Sequence, residues 1–335
     1  MRGSDMEKNR YYGTLPAVWQ AKWIDPELPH DPSVKQPASV LRKQFEAGTI
    51  RSAVLYMTCH GLYEAYLNGQ RVGNFVLAPG TGDYRKRLCV QAYDVCDLLK
   101  TGTNELIVTL GDGWYRGSVG IDGLRNYYGE DIALLCQLEA DGKAVCFSDE
   151  TWEASQQGPV RVNDLQQGEM YDARKEEIID WHHVTVGDFA YSSLKADHGV
   201  TVREQERFAG KIIRTPNGET VIDFGQNLAG YTEIRVHAEA GQKITLWHGE
   251  TLDENGISPR ATLTRGTAIK TEAFLRRQSI SAKTGKMFII PLSACSASVM
   301  RKLKQTSIFP TRSLQPLLYI PKCRRQASLH AGMKM

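Results

Sequence analysis

The sequence predicts an all-β protein: an antiparallel β-sandwich or jelly-roll domain followed by a second, incomplete β-sandwich. Short runs of alternating apolar and polar residues recur from Val40 to about Trp152. Dipeptides that favour two-residue hairpins, Asn68-Gly69 and Asp141-Gly142, separate several of these runs. Similar alternating runs return after residue 200, with Asn217-Gly218 as a further turn. Strands at this spacing with Gly-rich turns are typical of sandwiches.

The individual elements of the first unit follow from these runs. The stretch from Asp94 to Gly102 predicts one short helical turn, because Gly102 tolerates the positive φ of a helix end. Ile132–Ala140 and Lys143–Ser148 are predicted to pair across Asp141-Gly142. The predicted strands of the first unit are residues 52–59, 61–67, 70–77, 87–93, 104–110, 132–140 and 143–148, and those of the second unit are residues 202–208, 220–224, 231–238 and 243–249.

Cysteine usage and hydropathy restrict the cellular setting. None of the seven cysteines forms a CxxC pair or a Cys/His cluster with zinc-ligand spacing, so free thiols in a reducing compartment are expected. No apolar run approaches the roughly 20 residues that span a bilayer. Met1–Arg10 is polar and has no signal-peptide core. These observations predict a cytoplasmic protein with no membrane partner.

Nine short motifs follow one another along the chain. They are Trp19–Ile24, Tyr63–Gly69, Leu77–Tyr84, Tyr93–Val95, Gly111–Gly117, Asp149–Trp152, Gly168–Arg174, Asp223–Gly230 and His248–Leu252. Each motif is weak alone, but in this order they resemble the N-terminal region of bacterial α-L-rhamnosidases, glycoside hydrolase family 78. The resemblance extends over roughly residues 15–256.

The resemblance implies hydrolysis of terminal α-L-rhamnose from glycosides with inversion of configuration. An inverting glycosidase needs two carboxyl groups far enough apart to admit a water molecule. The family carries them in a following (α/α)6 barrel, for which this chain has no room. The expected function is therefore that of the N-terminal accessory part, for carbohydrate recognition or structure, with no catalytic residue and no glycosidase activity of its own. L-rhamnose-containing glycosides are the implied ligands.

The charge distribution changes abruptly near residue 257. Residues 258–335 contain 15 Lys and Arg residues and one acid, Glu272, whereas residues 1–257 contain 26 basic and 37 acidic residues. A basic tail can bind nucleic acid, but these charges are scattered among apolar residues. A shift of the codon boundaries by one nucleotide lets Ile257–Leu263 encode a sequence that looks like the family's continuation. A frameshift is thus the favoured reading, and no nucleic-acid partner is expected.

Trp114 and Tyr115 are candidate sugar-contacting residues. They lie in a Gly-flanked loop that can expose a ring, and sugars stack on aromatic faces. If the loops converge, hydrogen-bonding groups would come from Asn68, Asp83, Tyr84, Asp112 and Arg116. The structural alternative, which the sequence favours, is that Trp114 covers the sandwich core.

Two further groups of acidic residues are candidates for a metal site and for a salt bridge. Asp122, Glu130 and Asp131 could form an oxygen-rich Ca²⁺ site, although solvated loop acids explain them as well. No other cofactor or metal site is suggested. Glu169, Asp172 and Arg174 are expected to form a salt-bridged junction with the next segment.

The predicted organisation has five parts. An N-terminal extension covers residues 1–14, the first β-sandwich 15–180, a linker 181–200, the incomplete second sandwich 201–257 and the atypical tail 258–335. The missing strands of the second unit would expose a sheet edge, so self-association is expected. Two alternatives remain open, a freestanding carbohydrate-binding module and a nucleic-acid binder acting through the tail.

Overall fold

The computed structural model describes residues 13–197, 201–226, 229–235 and 243–249, residues 254 and 256, and the stretches 270–274, 299–300, 304–305 and 315–321. The elements of the first unit are β1 (Ile24–Asp25), β2 (Ser39–Ala47), β3 (Ala53–His60), β4 (Leu62–Leu67), β5 (Gln70–Arg71), β6 (Leu88–Asp94), β7 (Gly102–Gly111), α1 (Gly113–Arg116), β8 (Ala133–Ala140), β9 (Lys143–Phe147), β10 (Glu153–Ser155), β11 (Val160–Asp164), β12 (Gly168–Asp172), β13 (His182–His183), β14 (Thr185–Val186) and β15 (Leu194–Ala196).

The later elements are also strands. They are β16 (Glu204–Ala209), β17 (Lys211–Arg214), β18 (Thr220–Asp223), β19 (Tyr231–Arg235), β20 (Lys243–Gly249), β21 (Lys270–Phe274), β22 (Val299–Met300), β23 (Lys304–Gln305) and β24 (Gln315–Pro321). Single 3-10 turns occur at Cys96–Leu98 and Ala173–Lys175. The all-β fold class that the sequence predicts is confirmed.

Two mostly antiparallel sheets form the first sandwich. One sheet has the order β14-β1-β8-β3-β6-β15, with β9 also paired to β8, and the other has the order β13-β10-β2-β7-β4-β5. Alternate residues of both sheets point inward, as a half-buried strand requires. Leu55 and Met57 of β3 meet Leu41 of β2 and Leu106 and Val108 of β7 in one fully buried cluster. This cluster is the sandwich core.

Two hairpins confirm the turn prediction. Asn68 and Gly69 have φ values of 52° and 77°, and Asp141 and Gly142 have 47° and 78°. Two consecutive residues with positive φ are the geometry that matches the twist of antiparallel strands. The predicted strand 70–77 is shorter than expected, because pairing ends at Arg71 and Gly73 has a φ of 65°.

The segment predicted as a linker, residues 181–200, contributes three strands to the first unit. β13 pairs with β10, β14 pairs with β1, and β15 runs parallel to β6. These strands have two or three residues each, too few to show a period of two in sequence. Their pairing partners define them: β14 and β15 lie at the two ends of one sheet, and β13 lies at one end of the other.

The second unit contains the predicted strands, and strands beyond residue 257 pair with it. β17 pairs with β18, and β20 pairs with β21, which in turn runs parallel to β12 of the first unit. β24 lies between β16 and β19. Extended backbone at an open edge can pair with any strand that offers its N–H and C=O groups. The rest of residues 258–335 lies outside the described residues, so the frameshift stays a prediction.

Candidate functional site

The site begins at the sharp turn that follows β7. Gly111 ends the strand, and α1 folds back immediately, with Gly113 at a φ of 56°. A Cβ at Gly113 would lie 2.7 Å from Leu62 Cγ and 2.8 Å from the Gly61 carbonyl carbon. Only glycine therefore fits, and this close approach sets the direction of the residues that follow it.

Arg116 at the end of α1 is the centre of a buried ionic network. Its side chain is 2% exposed and that of Asp112 is equally buried. Arg116 Nε and Nη2 donate to Asp112 Oδ1 at 2.9 and 2.7 Å, and Nη1 and Nη2 donate to the two carboxylate oxygens of Glu27 at 2.5 and 3.0 Å. Arg125 Nη2 approaches Asp112 Oδ2 at 3.3 Å. Two guanidinium groups thus neutralise two carboxylates.

The pKa values in this network follow from burial and pairing. Burial raises the pKa of Asp112, and the charges of Arg116 and Arg125 oppose the rise. Burial alone would lower the pKa of Arg116, but the Glu27 and Asp112 carboxylates outweigh it and the net change is upward. Burial raises the pKa of the neighbouring Asp25 to about 6, and the Asp131 and Glu27 charges add to the rise. Arg116 is therefore held permanently charged.

A stack of aromatic rings covers the outer face of the β3 sheet beside this network. The His60 ring lies between Trp23, at a centroid distance of 4.6 Å, and Tyr115, at 4.5 Å and 3° from parallel. Phe189 meets the edge of His60 at 4.6 Å. Burial lowers the pKa of His60 to about 4, so the imidazole is neutral at physiological pH. Tyr115 is thereby fixed as part of the scaffold.

The surface of this layer carries the accessible aromatic groups. Trp114 is partly buried against the cluster. Tyr128 lies 5.0 Å from Tyr84 and 4.8 Å from Tyr127, measured between ring centroids. Tyr127 is 50% exposed, and Arg85 Cζ lies 5.3 Å from its ring. We call these five residues the aromatic surface: the buried Tyr84 and the more exposed Arg85, Trp114, Tyr127 and Tyr128. Partly exposed rings with a nearby guanidinium are suited to stacking on a polar, C–H-rich ligand.

Two family models match the chain. The α-L-rhamnosidase N-terminal domain matches residues 48–221, and the bacterial α-L-rhamnosidase concanavalin-like domain matches residues 213–274. The first match alone covers more than half of the sequence. The chain belongs to the α-L-rhamnosidase family. The second match ends 17 residues beyond the predicted change of reading frame at residue 257.

Curated relatives and solved structures agree with this membership. An α-L-rhamnosidase of Streptomyces avermitilis is 39% identical over 256 residues, which is 71% of this chain and 25% of the relative. One from Formosa agariphila is 31% identical over 261 residues, 71% of this chain and 28% of the relative. The chain thus spans about a quarter of the length of these relatives.

Two solved structures have the same architecture. The α-L-rhamnosidase of Aspergillus terreus superposes with a TM-score of 0.76 at 29% identity, covering 90% of this chain and 36% of that one. The Streptomyces avermitilis enzyme complexed with L-rhamnose gives 0.68 at 32% identity, covering 85% and 27%. The similarity extends over most of this rhamnosidase-family chain but only a minor part of either enzyme.

The fold does not bring all the predicted site residues together. Asn68 follows β4 and donates to the Leu98 carbonyl and Asn104 Oδ1, both at 2.8 Å. Its backbone pairs beside Glu105, six residues from Gly111 along β7, or about 20 Å away. Asp83 lies beside Tyr84 and accepts from the Arg85 N–H at 3.2 Å. Tyr84, Trp114 and Tyr115 do converge, whereas Asn68 belongs to a hairpin at the other end.

The structure gives Asp112 and Arg116 a different environment from the one expected of sugar ligands. Their polar atoms are used up by each other, by Glu27 and by Arg125, and both side chains are buried. A ligand hydroxyl would have to displace a charge-assisted hydrogen bond to reach them. They form the base that positions the loop.

The acids proposed for calcium do not form a cluster. Across the described stretches, no group of three or more His, Cys, Asp or Glu side chains is placed to hold a metal ion, and these stretches include Asp122, Glu130 and Asp131. Nor does any described helix have the length and hydropathy needed to cross a membrane. Cys59, Cys89, Cys96, Cys136 and Cys146 are free thiols, while Cys295 and Cys323 lie outside the described residues.

The predicted junction at β12 is present in part. Arg174 Nε and Nη2 bind both carboxylate oxygens of Asp172 at 2.7 Å. Glu169, however, points elsewhere: its side chain is 7% exposed, and Oε1 has no hydrogen-bond partner among the described residues. Burial, reinforced by the charge of Glu64, raises its pKa well above the ordinary value. The pKa of Glu169 is thus displaced in the direction that favours the neutral carboxyl group.

Sequence reasoning missed several residues of the site. His60, Trp23 and Glu27 are far from residue 114 along the chain, and nothing local marks them. Tyr127 and Tyr128 did have a signal, because two adjacent tyrosines precede Gly129 in a Gly-rich stretch. Such a pair at a turn is typical of an exposed aromatic contact.

Proposed function

We propose that this chain is the accessory, carbohydrate-recognising part of an α-L-rhamnosidase, and that the aromatic surface contacts the rhamnosyl end of the glycoside. Catalysis by an inverting acid and base would then lie in a further domain. The observation that carries the proposal is the aromatic surface itself, held on a buried ionic base in a chain that belongs to this family. The L-rhamnose bound to the Streptomyces avermitilis enzyme supports the ligand class.

The construction of the surface explains how it would recognise a neutral sugar. Trp114 and Tyr127 offer rings to the apolar C–H face of a pyranose. Arg85 donates an Nη2–H to the Tyr127 carbonyl at 3.0 Å, which holds its guanidinium group beside the Tyr127 and Tyr128 rings. Asp83 adds an acceptor beside it. The fixed stack beneath means that little conformational entropy is lost when a ligand binds.

Isothermal titration of the purified chain with methyl α-L-rhamnoside tests the proposal. We expect saturable binding with a component that disappears in Trp114→Ala and persists in Asn68→Ala, since Asn68 lies about 20 Å from the turn that leads into the surface. Binding that is identical in wild type and Trp114→Ala would exclude this surface.

A second assay tests whether the chain alone has glycosidase activity. We expect the chain alone to release no 4-nitrophenol from 4-nitrophenyl α-L-rhamnoside above the rate without protein. Turnover by the purified chain would show that the acid and base lie within it, and the accessory role would then be wrong.

A further inference from the structure

A second concave site lies on the opposite side of the sandwich. It is a cavity of about 330 Å³ between the outer face of the β2–β7 pair and the β11–β12 hairpin. Val40 and Thr109 are directly opposed in the sheet, as are Val160 and Tyr171 in the hairpin. The residues that line it include Val40, Ile107, Thr109, Val160, Tyr171 and Glu176. We call this cavity the hairpin groove.

The hairpin groove has an apolar side and a polar side. Val40, Ile107 and Val160 supply branched aliphatic surface without a hydrogen-bonding atom. On the other side, the Tyr171 hydroxyl donates to Glu176 Oε1 at 2.9 Å, and Glu176 is itself exposed. An amphipathic small molecule matches such a lining better than a purely apolar one. The Glu176 charge favours a neutral ligand over an anionic one.

Two unpartnered polar atoms lie next to the groove along the same strip. Glu169 is two residues from Tyr171 on β12 and therefore shares its face. Asn163 is directly opposite Glu169 in the hairpin. Glu169 Oε1 and Asn163 Nδ2 are both buried without a hydrogen-bond partner among the described residues. An unmet donor and an unmet acceptor side by side fit a hydroxyl group, which can both accept and donate.

The register of β7 shows that the unpartnered atoms of Asn163 and Glu169 lie next to the hairpin groove. Thr109 lines the groove, and Gly111, two residues further on the same face, lies under Asn163, because a Cβ there would be 2.8 Å from Asn163 Oδ1. Two residues of a strand span about 7 Å. The unpartnered pair is therefore within the width of a single sugar ring of the groove.

We propose that the hairpin groove is a second carbohydrate subsite, which takes a neutral 6-deoxyhexose residue with its methyl group on the aliphatic side and its hydroxyls toward Tyr171, Glu176 and the Asn163–Glu169 pair. The ligand class rests on the proposed function. The site itself is distinct, because it uses the outer face of the β2–β7 sheet, whereas the aromatic surface covers the other sheet. A volume of about 330 Å³ is at the small end of ligand pockets, as a single sugar residue requires.

The preference for a methyl group over a hydroxymethyl group follows from the cost of removing a hydroxyl group from water. A hydroxymethyl group in place of the methyl group would bury a hydroxyl against Val40, Ile107 and Val160, which offer it no partner. Burying an unpaired hydroxyl costs free energy. L-mannose, the 6-hydroxy counterpart of L-rhamnose, is therefore expected to bind on the order of tenfold more weakly at this groove.

The test uses the whole chain, methyl α-L-rhamnoside as the probe, and saturation-transfer NMR together with isothermal titration. In Trp114→Ala, which removes the aromatic surface, we expect saturable binding to remain, with the strongest saturation transfer at the sugar's methyl protons. Ile107→Trp fills the groove from a half-buried position on the outer sheet face and should abolish that remaining binding in a Trp114→Ala background. Tyr171→Phe keeps the ring, removes the hydroxyl, and should weaken it by on the order of fivefold.

The outcomes separate this proposal from the previous one. Binding that survives Ile107→Trp but is lost in Trp114→Ala overturns the hairpin groove and leaves the aromatic surface intact. Binding that survives Trp114→Ala but is lost in Ile107→Trp supports the groove and excludes the aromatic surface. If no saturable binding occurs, or if L-mannose binds the Trp114→Ala variant as tightly as L-rhamnose, the groove proposal is wrong. Thermal melting of each variant confirms that it is folded.

Discussion

Asp112 and Glu169 are two buried acids of one domain that are held in opposite ways. Asp112 is 1% exposed and accepts three hydrogen bonds from the Arg116 and Arg125 guanidinium groups. Glu169 is 7% exposed, and its Oε1 has no partner among the described residues. Burial raises the pKa of both carboxyl groups. Only Asp112 has guanidinium charges beside it that oppose this rise.

The difference shows how this fold uses charge. Arg116 joins the loop after β7 to Glu27, which lies far away in sequence, so its ion pairs define the geometry beneath the aromatic surface. Buried ion pairs of this kind specify an arrangement more than they stabilise it, because desolvation offsets much of their attraction. Glu169 specifies no protein contact through Oε1. Oε1 and the neighbouring Asn163 Nδ2 are among the buried polar atoms without a partner in the described residues, and their position next to the groove brings them into the hairpin-groove proposal.

Removal of Arg116 should have the largest effect. Arg116→Met keeps the length of the side chain but leaves Asp112 and Glu27 buried without their main counter-charge. We expect a loss of about 3–5 kcal/mol in the free energy of unfolding, measured by urea denaturation. Glu27→Gln is the milder companion, since Asp112 remains paired in it. A cost below about 1 kcal/mol for Arg116→Met would mean that the network is hydrated, and the contrast with Glu169 would disappear.

His60 is a buried base, and burial shifts its pKa downward, the opposite direction to that of the two acids. The folded-state pKa of His60 is about 4, below its ordinary value of 6.5. Its contribution to stability is therefore complete above about pH 6.5 and is lost as the pH falls towards 4. His60→Phe preserves the stacks with Trp23 and Tyr115 and removes the titration. We expect the variant to gain up to about 3 kcal/mol on wild type between pH 7.5 and pH 4.

Denaturation of both proteins across this pH range measures the difference. Parallel stability profiles for wild type and His60→Phe would show that the imidazole takes up its proton as easily in the folded as in the unfolded chain. Tyr191→Phe is a suitable control, because the Tyr191 ring lies 6.5 Å from that of Trp19, which packs against the same cluster, and the change removes no imidazole.

Glu169→Gln should give the opposite pH dependence. The folded-state pKa of Glu169 is raised, so its contribution is fully present below the unfolded value of about 4.5 and is lost as the pH rises through the folded value. The amide does not ionise, and the variant should therefore gain on wild type as the pH increases from 4.5 to 9. Asp172→Asn is the contrasting control: the Arg174 partner lowers the Asp172 pKa below its ordinary value of 3.8, so the stability difference between this variant and wild type should stay nearly constant from pH 4.5 to 9 and shrink only as the pH falls below about 4.

Particular residues show which parts of the fold could be predicted from the sequence. The β4–β5 and β8–β9 hairpins were predicted because Asn68-Gly69 and Asp141-Gly142 act locally: two consecutive residues with positive φ favour a tight hairpin turn. The family could be identified because its motifs lie on these same strands and loops. Local chemistry thus determined the strands, the turns and the membership.

Non-local contacts account for what was missed. Asp112 and Arg116 look like exposed polar residues of a Gly-rich loop, and only Glu27, 89 residues from Arg116, turns them into a buried network. The strands β13 to β15 are two or three residues long and exist because β10, β1 and β6 offer free edges. No periodicity can appear over so short a length.

The smallest expected effect is at Arg42, whose ion pair is partly exposed, in contrast to the buried ion pairs of Arg116. Arg42 Nε donates to Glu153 Oε2 at 2.8 Å, and Arg42 Cζ lies 3.9 Å from the centroid of the Trp181 ring. About a third of each partner's side chain is exposed, so solvent screens the pair. Arg42→Ala should cost about 1 kcal/mol in urea denaturation, mostly through the lost contact with Trp181. Glu153→Ala should cost less, because Arg42 keeps its stacking partner. Equal costs for the two variants would assign the energy to the ion pair instead, and a surface charge would then count for as much here as a buried one.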